Sequence, residues 1–139
     1  MRIIITGGNS GVGKATAAAM AAAGHEVVIA CRSVSKGRDA VKTMSGDVKV
    51  AELDLADLAS VRKFAETVDW TDVLVNNAGV LGLPLTRTAD GFEAHMGTNH
   101  LGVGAHAFRR PELASAPVPS DGGVQRVQIG EHAVCATSH

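Results

Sequence analysis

Thr6-Gly7-Gly8-Asn9-Ser10-Gly11-Val12-Gly13 is the stretch of sequence that decides the fold. It follows a β-branched run at residues 3–5 and leads into an alanine-rich segment at residues 12–23. The run predicts a buried strand, and the alanines predict a helix that packs closely on a sheet. A glycine-rich turn between strand and helix is where backbone N–H groups and the positive helix end bind phosphate. The sequence therefore predicts a phosphate-binding turn, with an ordinary glycine-rich loop as the alternative.

Three glycines of this turn have separate predicted tasks. Gly7 permits the tight turn, Gly11 lets the backbone approach a pyrophosphate, and Gly13 lets the helix lie against the sheet. A P-loop is the rival interpretation, because residues 8–14 nearly spell Gly-x-x-x-x-Gly-Lys. A P-loop needs a hydroxyl directly after the lysine to ligate Mg²⁺, and that position is Ala15. Residues 6–13 match the pattern Thr-Gly-x-x-x-Gly-x-Gly at every fixed position.

Apolar runs and helical patterns alternate along the first 102 residues. Further strands are predicted at residues 26–31, 48–53 and 73–75. Helices are predicted at residues 33–44, 57–68 and 90–101, with Ser33 and Asp57 as N-caps, Asp90 as the start of the last helix, and Gly24 as the C-cap of the first. This alternation predicts an α/β protein with a Rossmann-like, doubly wound parallel sheet in the order 3-2-1-4.

The periodic pattern fails beyond Gly102, where three of the four prolines lie. The predicted organisation is therefore a partial nucleotide-binding domain at residues 1–102 and an irregular tail at residues 103–139, with at best a weak strand at 124–129. The fold is predicted to be truncated after the fourth strand and the helix that follows it.

Composition bounds the function classes for this chain of 139 residues. A formal charge of −1 gives no electrostatic case for nucleic acid or an anionic membrane. Two cysteines, Cys31 and Cys135, suit a reducing cytoplasm. The longest uncharged run, residues 15–24, is too short to span a bilayer, and no secretory signal precedes the glycines. A cytoplasmic protein without a membrane span is predicted.

Further motifs follow the glycine turn in register. Asp54 ends the third predicted strand, Asn76-Asn77-Ala78-Gly79 follows the fourth, and Thr98-Asn99-His100-Leu101-Gly102 comes after it. With the turn, these motifs make residues 1–102 resemble the short-chain dehydrogenase/reductase family. Read with Thr88-x-Asp90-Gly91-Phe92-Glu93, the last segment is most similar to the retinol dehydrogenase and protochlorophyllide reductase branch.

The resemblance implies an oxidoreductase that transfers hydride between a nicotinamide cofactor and an alcohol or carbonyl. It implies that Asp54 hydrogen-bonds the adenine, that the Asn76–Gly79 motif steadies the sheet and lines the cofactor site, and that Asn99 is the family's catalytic asparagine. The predicted cofactor-binding residues are Thr6, Gly7, Asn9, Ser10, Gly11, Val12, Gly13, Arg32, Ser33, Asp54, Leu55, Asn77, Ala78 and Gly79.

The end of the second strand predicts NADP over NAD. A carboxylate there binds the ribose hydroxyls of NAD, whereas an arginine attracts the 2′-phosphate of NADP. This chain has Arg32 and Ser33 there, Lys36 one helical turn later, and no acid before Asp39. A guanidinium–phosphate bond contributes about 1.5–3 kcal/mol, or about ten- to a hundredfold in affinity. A solvated Arg32 at a strand end is the alternative. Cys31 is interpreted as a packing residue, because the sequence offers no base to activate it.

The chain contains no tyrosine, and its last lysine is Lys63. In the family a tyrosine delivers the proton, a lysine four residues later lowers its pKa, and a serine polarises the carbonyl. Ser115, Ser120 and Ser138 do not follow a strand, so Asn99 alone is carried over as a residual catalytic residue. No metal site is predicted, because the six histidines lack metal-ligand spacing. The chain alone is predicted to be inactive.

Two explanations for the tail and three functions stay open at this point. The tail is either the product of a frameshift near codon 103 or part of a divergent short protein. The chain is an NADP-linked oxidoreductase by descent, a non-catalytic NADP-binding module or pseudoenzyme that pairs with a relative, or a P-loop hydrolase, which Ala15 disfavours. The apolar fourth strand would lie at an open sheet edge, which predicts a homo-oligomer or pairing with another chain.

Overall fold

The computed structural model describes residues 1–108. Its four strands are β1 (Arg2–Thr6), β2 (Glu26–Cys31), β3 (Val48–Glu52) and β4 (Val73–Val75). They form one parallel sheet in the order β3-β2-β1-β4, which confirms the predicted order and direction. The carboxyl ends of the strands therefore meet at one edge of the sheet.

Helices connect the strands and follow the last one. They are α1 (Gly11–Ala22), α2 (Val34–Val41), α3 (Leu58–Thr67), α4 (Ala94–Met96) and α5 (Val103–Phe108), with a π-helical turn at Gly97–Gly102 joining the last two. Ser33 and Asp57 are N-caps as predicted, and their side chains accept the N–H groups of Lys36 and Ala59. Gly24 was predicted as the C-cap of α1, but Ala23 is the C-cap, and Gly24, at φ +87°, lies one residue beyond it.

The core lies on both faces of the sheet, because alternate side chains of each strand point to opposite sides. Ile3 and Ile5 pack on one face with Ala17 and Ala21 of α1. Ile4 packs on the other face with several residues, among them Val28, Leu53, Val61, Phe64 and Val68. These two clusters confirm the doubly wound arrangement, with α1 and α3 on opposite faces.

The predicted start of the last helix at Asp90 is wrong. The helix begins at Ala94, and Glu93 caps it by accepting the N–H groups of His95 and Met96. Asp90 lies outside the helix, and its Oδ2 accepts the N–H of Leu58 at 2.8 Å. The side chain therefore satisfies the first turn of α3, which lies 32 residues earlier in the chain.

Two further boundaries differ from the prediction. The second helix ends at Val41 rather than at Met44. Beyond it, the N–H groups of Thr43 and Met44 donate to the carbonyls of Ala40 and Val41, as in turns. Helix α5 reaches Phe108, so irregular structure does not begin at residue 103 as predicted. The rest of the predicted tail, including the weak strand at 124–129, Ser115, Ser120, Ser138 and Cys135, lies outside the described residues.

Within residues 1–108, no helix combines the length and the hydropathy that crossing a bilayer requires.

Candidate functional site

A cleft of about 310 Å³ lies at the carboxyl ends of the four strands. In an open parallel sheet this is the edge where ligands bind. The structure brings most of the predicted binding residues together around this cleft: Thr6, Gly7, Asn9, Ser10, Arg32, Ser33, Asp54, Leu55, Asn77, Ala78 and Gly79.

Gly11, Val12 and Gly13 do not line the cleft. Gly11 and Val12 are exposed at the start of α1, where the Val12 side chain is 76% exposed. Gly13 is buried, and a Cβ there would lie 2.6 Å from the carbonyl oxygen of Gly7 and against the side-chain amide of Asn77. The glycine therefore allows α1 to approach the loops that follow β1 and β4.

The amino end of α1 is not capped by its own side chain. Ser10 is the N-cap, but its hydroxyl makes no capping bond, whereas Ser33 and Asp57 cap α2 and α3. The first N–H groups of a helix have no acceptor within it, and they carry the positive end of the helix dipole. Ser10 also lines the cleft, so the start of α1 borders the cleft with its backbone donors uncapped.

Thr6 joins the loops that follow β1 and β4. It is fully buried, and its Oγ1 accepts the N–H of Asn77 at 3.1 Å and the N–H of Ala78 at 3.0 Å. The Oγ1 also donates to the Val75 carbonyl at 3.4 Å. The hydroxyl is thus used within the protein, where it sets the position of the segment after β4.

Asn77 makes the reciprocal connection. Its Nδ2 donates to the Thr6 carbonyl at 2.9 Å and to the Gly7 carbonyl at 3.4 Å. Gly7 has φ +67°, a conformation that glycine adopts without a steric cost. Asn77 therefore holds the glycine turn against the loop after β4. The turn has a backbone conformation at Gly7 that would be strained in a residue with a side chain.

The end of β2 forms a basic wall of the cleft. Arg32 and Lys36 are both exposed there, and neither has an ion-pair partner among the described residues. The Oγ of Ser33 accepts the Lys36 N–H at 3.4 Å and shares a hydrogen bond with Ser35 at 3.0 Å. The wall thus presents two cationic side chains beside a serine hydroxyl.

Cys31 adjoins this wall and also lines the cleft. It is 4% exposed, and its Sγ donates to the Ser33 carbonyl at 3.3 Å. Burial raises the pKa of the Cys31 thiol above its ordinary value, which disfavours the reactive thiolate. This environment supports the interpretation of Cys31 as inert.

Asp54 holds the turn after β3. Its Oδ1 accepts the Ala56 N–H at 2.9 Å, and its own N–H donates to Ser60 Oγ at 2.9 Å. These local bonds position the carboxylate and Leu55 on the wall of the cleft.

Asn99 lies in the π-helical turn and not among the residues that line the cleft. Its Oδ1 accepts the Val80 N–H and its Nδ2 donates to the Val80 carbonyl, both at 2.8 Å. The neighbouring Thr98 and the bonded Val80 do line the cleft. The geometry makes Asn99 a positioning residue for the segment after Gly79, and its assignment as a catalytic residue stays a prediction.

Six residues that line the cleft are absent from the predicted binding set: Ala30, Cys31, Lys36, Leu53, Val80 and Thr98. Ala30, Leu53, Val80 and Thr98 each adjoin a residue or motif that was singled out, but none is of a type that signals binding. Their positions next to the predicted motifs in the sequence were the signal that could have identified these residues. Among residues 1–108, no group of His, Cys, Asp and Glu side chains has the arrangement of a metal site.

Comparisons with known proteins show which family this chain resembles. A family model described as short chain dehydrogenase matches residues 1–106. Human retinol dehydrogenase 12 is 48% identical over 109 residues, which cover 72% of this chain and 34% of that protein. Human retinol dehydrogenase 13 is 43% identical over 109 residues, which cover 72% and 33%. The chain therefore spans about a third of the length of these curated relatives.

Solved structures show the same fold. A protein from Mycobacterium paratuberculosis shares 51% identity and a TM-score of 0.74, over 76% of this chain and 40% of that one. A metagenomic short-chain oxidoreductase in complex with NADP shares 28% identity and a TM-score of 0.68, over 82% and 57%. The likeness thus covers the described sheet and its helices.

Proposed function

The chain belongs to the short-chain dehydrogenase family, and from that membership we propose that it binds NADP in the cleft but does not transfer hydride alone. Family members bind a nicotinamide cofactor, and when bound this group supplies the hydride. The observation that carries the proposal is the pairing of an uncapped α1 amino end with a basic wall in one cleft.

The fit to a dinucleotide is supported at each end of the cleft. Backbone N–H groups at the start of α1 suit the pyrophosphate, because helix amino ends bind anions. Gly7 offers a cradle, since a Cβ there would lie 3.1 Å from the Ala78 backbone and 3.2 Å from the Asn77 side chain. Asp54 and Leu55 on the β3 side suit the adenine.

NADP is proposed over NAD because of the charge at the end of β2. Arg32 and Lys36 line the cleft, and Ser33 adds a hydroxyl beside them. A 2′-phosphate accepts hydrogen bonds from all three groups, whereas the bare ribose hydroxyl of NAD gains little from the two cations. Two structural relatives, at 28% and 30% identity, are described as NADP complexes, which supports the same choice.

The proposed lack of hydride transfer rests on residue types that this sequence does not contain. The chain has no tyrosine and no lysine after Lys63, so the family's Tyr-x-x-x-Lys pair is absent from this sequence. Proton delivery to a developing alkoxide needs a positioned acid. Asn99 supplies none, because an amide does not titrate and both of its polar atoms are bonded to Val80. The account is an oxidoreductase by descent, with a non-catalytic NADP-binding module or pseudoenzyme partner as the alternative role.

Titration of the full chain with NADPH, NADH and Mg·ATP tests the binding proposal. We expect NADPH to bind, NADH to bind more weakly, and Mg·ATP not to bind, as followed by calorimetry. No binding of NADPH, or tighter binding of Mg·ATP, contradicts the proposal. Incubation with NADPH and aldehydes or ketones should give no oxidation of NADPH above the rate in buffer. Turnover would place the chain among active oxidoreductases instead. Cytoplasmic location and oligomerisation stay predictions.

A further inference from the structure

The π-helical turn contacts both walls of the cleft. Thr98 in this turn lines the cleft itself. Asn99 is bonded to Val80 on the β4 side, and Gly102 lies against the backbone of Leu55 on the β3 side. Strands β3 and β4 are the two outermost strands of the sheet. The turn therefore joins the segments that follow the two edges of the sheet.

The contact at Gly102 is made by backbone atoms. Gly102 is buried, and a Cβ there would collide with the carbonyl oxygen of Leu55 and lie 3.0 Å from the Leu55 Cβ. Leu55 is 4% exposed and lines the cleft. Close-packed groups in a protein interior pass a displacement on to their neighbours, because few voids exist that could absorb it. A side chain at position 102 would therefore move the β3-side wall of the cleft.

Leu55 belongs to a turn that is closed by its own hydrogen bonds. The Oδ1 of Asp54 accepts the Ala56 N–H at 2.9 Å, and the Asp54 carbonyl accepts the Asp57 N–H at 3.2 Å. These bonds connect the residues on both sides of Leu55. A displacement of the Leu55 carbonyl is therefore carried to Asp54, which also lines the cleft.

The contact on the β4 side is made by a side chain instead. Asn99 bonds the N–H and the carbonyl of Val80, both at 2.8 Å. A Cβ at the preceding Gly79 would lie 3.3 Å from the Asn99 Oδ1, so the amide lies close along this segment. Gly79 and Val80 both line the cleft. Removal of the amide would therefore release the β4-side wall and leave the contact at Gly102 in place.

We propose that the π-helical turn sets the width of the cleft, with Gly102 as the positioning residue of the β3-side wall and Asn99 as that of the β4-side wall. The inference rests on the proposed binding of NADP, in which Asp54 and Leu55 lie at the adenine and the β4 side is left for the nicotinamide half. Groups that bind a ligand must be held to within about 0.5 Å of their productive positions. A shift of either wall therefore weakens the half of the cofactor that lies against it.

Calorimetric titration of the full chain with adenosine 2′,5′-bisphosphate and with NADPH tests the proposal, because the first ligand represents the adenine half of the second. We expect Gly102→Ala to weaken the binding of both ligands about tenfold. Asn99→Ala should weaken NADPH about tenfold and keep the bisphosphate affinity within about twofold, because it releases only the β4 side. Gly97→Ala is the matched control, since the same added methyl group in the same turn meets the methyl end of the Thr88 side chain, outside the cleft lining. This control should keep both affinities within about threefold.

The two ligands separate a displaced wall from a damaged fold. A loss of folded protein weakens both ligands alike, whereas Asn99→Ala should weaken only NADPH, and circular dichroism finds the temperature at which each variant is folded. A wild-type chain that binds neither ligand overturns the proposed NADP binding, and this inference with it.

The inference alone is overturned when the wild type binds both ligands but Gly102→Ala binds the bisphosphate as tightly as the wild type does. Equal weakening by Gly97→Ala contradicts it as well. If Gly102→Ala does not fold, the Asn99→Ala variant decides, because a loss of both affinities, or of neither, contradicts the inference.

Discussion

The side-chain amide of Asn99 is hydrogen-bonded to both the backbone N–H and the backbone carbonyl of Val80. Oδ1 accepts the N–H and Nδ2 donates to the carbonyl, each at 2.8 Å. The contact ties the π-helical turn to the segment after β4, 19 residues earlier in the chain. Val80 lines the cleft, so the pair links the last described helices to the candidate binding site.

Asn99→Ala should lower the free energy of unfolding by about 1–2 kcal/mol, because two hydrogen bonds of roughly 0.5–1.5 kcal/mol each are lost at a partly solvated position. Urea denaturation followed by circular dichroism measures it. His100→Ala changes the exposed neighbouring residue and is the control. Equal stability of the two variants would show that the hydrogen bonds between Asn99 and Val80 do not stabilise the fold.

Thr6→Val should destabilise the chain by about 1–3 kcal/mol, because the Ala78 N–H then loses its acceptor in a part-buried place. Thr6→Ser keeps the hydroxyl and should lose much less. Both variants are measured by urea denaturation and by titration with NADPH, since the hydroxyl sets the position of the cleft wall. A serine variant as unstable as the valine variant would assign the loss to the methyl group rather than to the hydrogen bonds.

Acid should weaken the start of α4. Hydrogen bonds from the N–H groups of His95 and Met96, with a further bond from the His95 ring, lower the pKa of Glu93 to about 2. A carboxyl whose pKa is lower in the folded state stabilises the fold above its unfolded pKa, and this stability is lost as the pH falls through the folded value. The contribution should therefore be complete above about pH 4.5 and disappear towards pH 2.

The Glu93→Gln variant tests this assignment through its urea midpoint at several pH values. The gap between wild type and variant should be widest at neutral pH and should close between about pH 4.5 and 2. Glu52→Gln removes the same charge from an exposed strand position and serves as the control. A gap that stays constant across this range would rule out the ionised Glu93 cap as its cause.

The sequence predicted the sheet well because each strand depends on local signals. The second strand was predicted at its observed bounds, since an apolar run lies between a glycine turn and Arg32. Ser33 and Asp57 were predicted as caps because a cap acts within its own helix turn. The position of the glycine turn beside the cleft, and most of the cleft lining, were predicted from the order of motifs along parallel strands.

Errors arose where distant contacts decide the structure. Asp90 has the residue type of an N-cap for the next helix, but it accepts a bond from Leu58, far away in the sequence. No local pattern predicts the π-helical turn at Gly97–Gly102. Gly102 packs against the Leu55 carbonyl, where any Cβ would collide, and that contact exists only in the folded chain.

NADP binding through Arg32 is the central claim, and the ratio of dissociation constants for NADH and NADPH tests it most directly. The ratio should be about ten to a hundred in the wild type and should fall towards one in Arg32→Gln, because in the proposed complex the guanidinium would bind the 2′-phosphate, which NADH lacks. Arg38→Gln removes the same charge from α2 at a position outside the cleft lining, and it should keep the wild-type ratio. Calorimetric titration of the three proteins with both cofactors gives the answer. A wild-type ratio near one, or a ratio that Arg32→Gln leaves unchanged, would contradict the account.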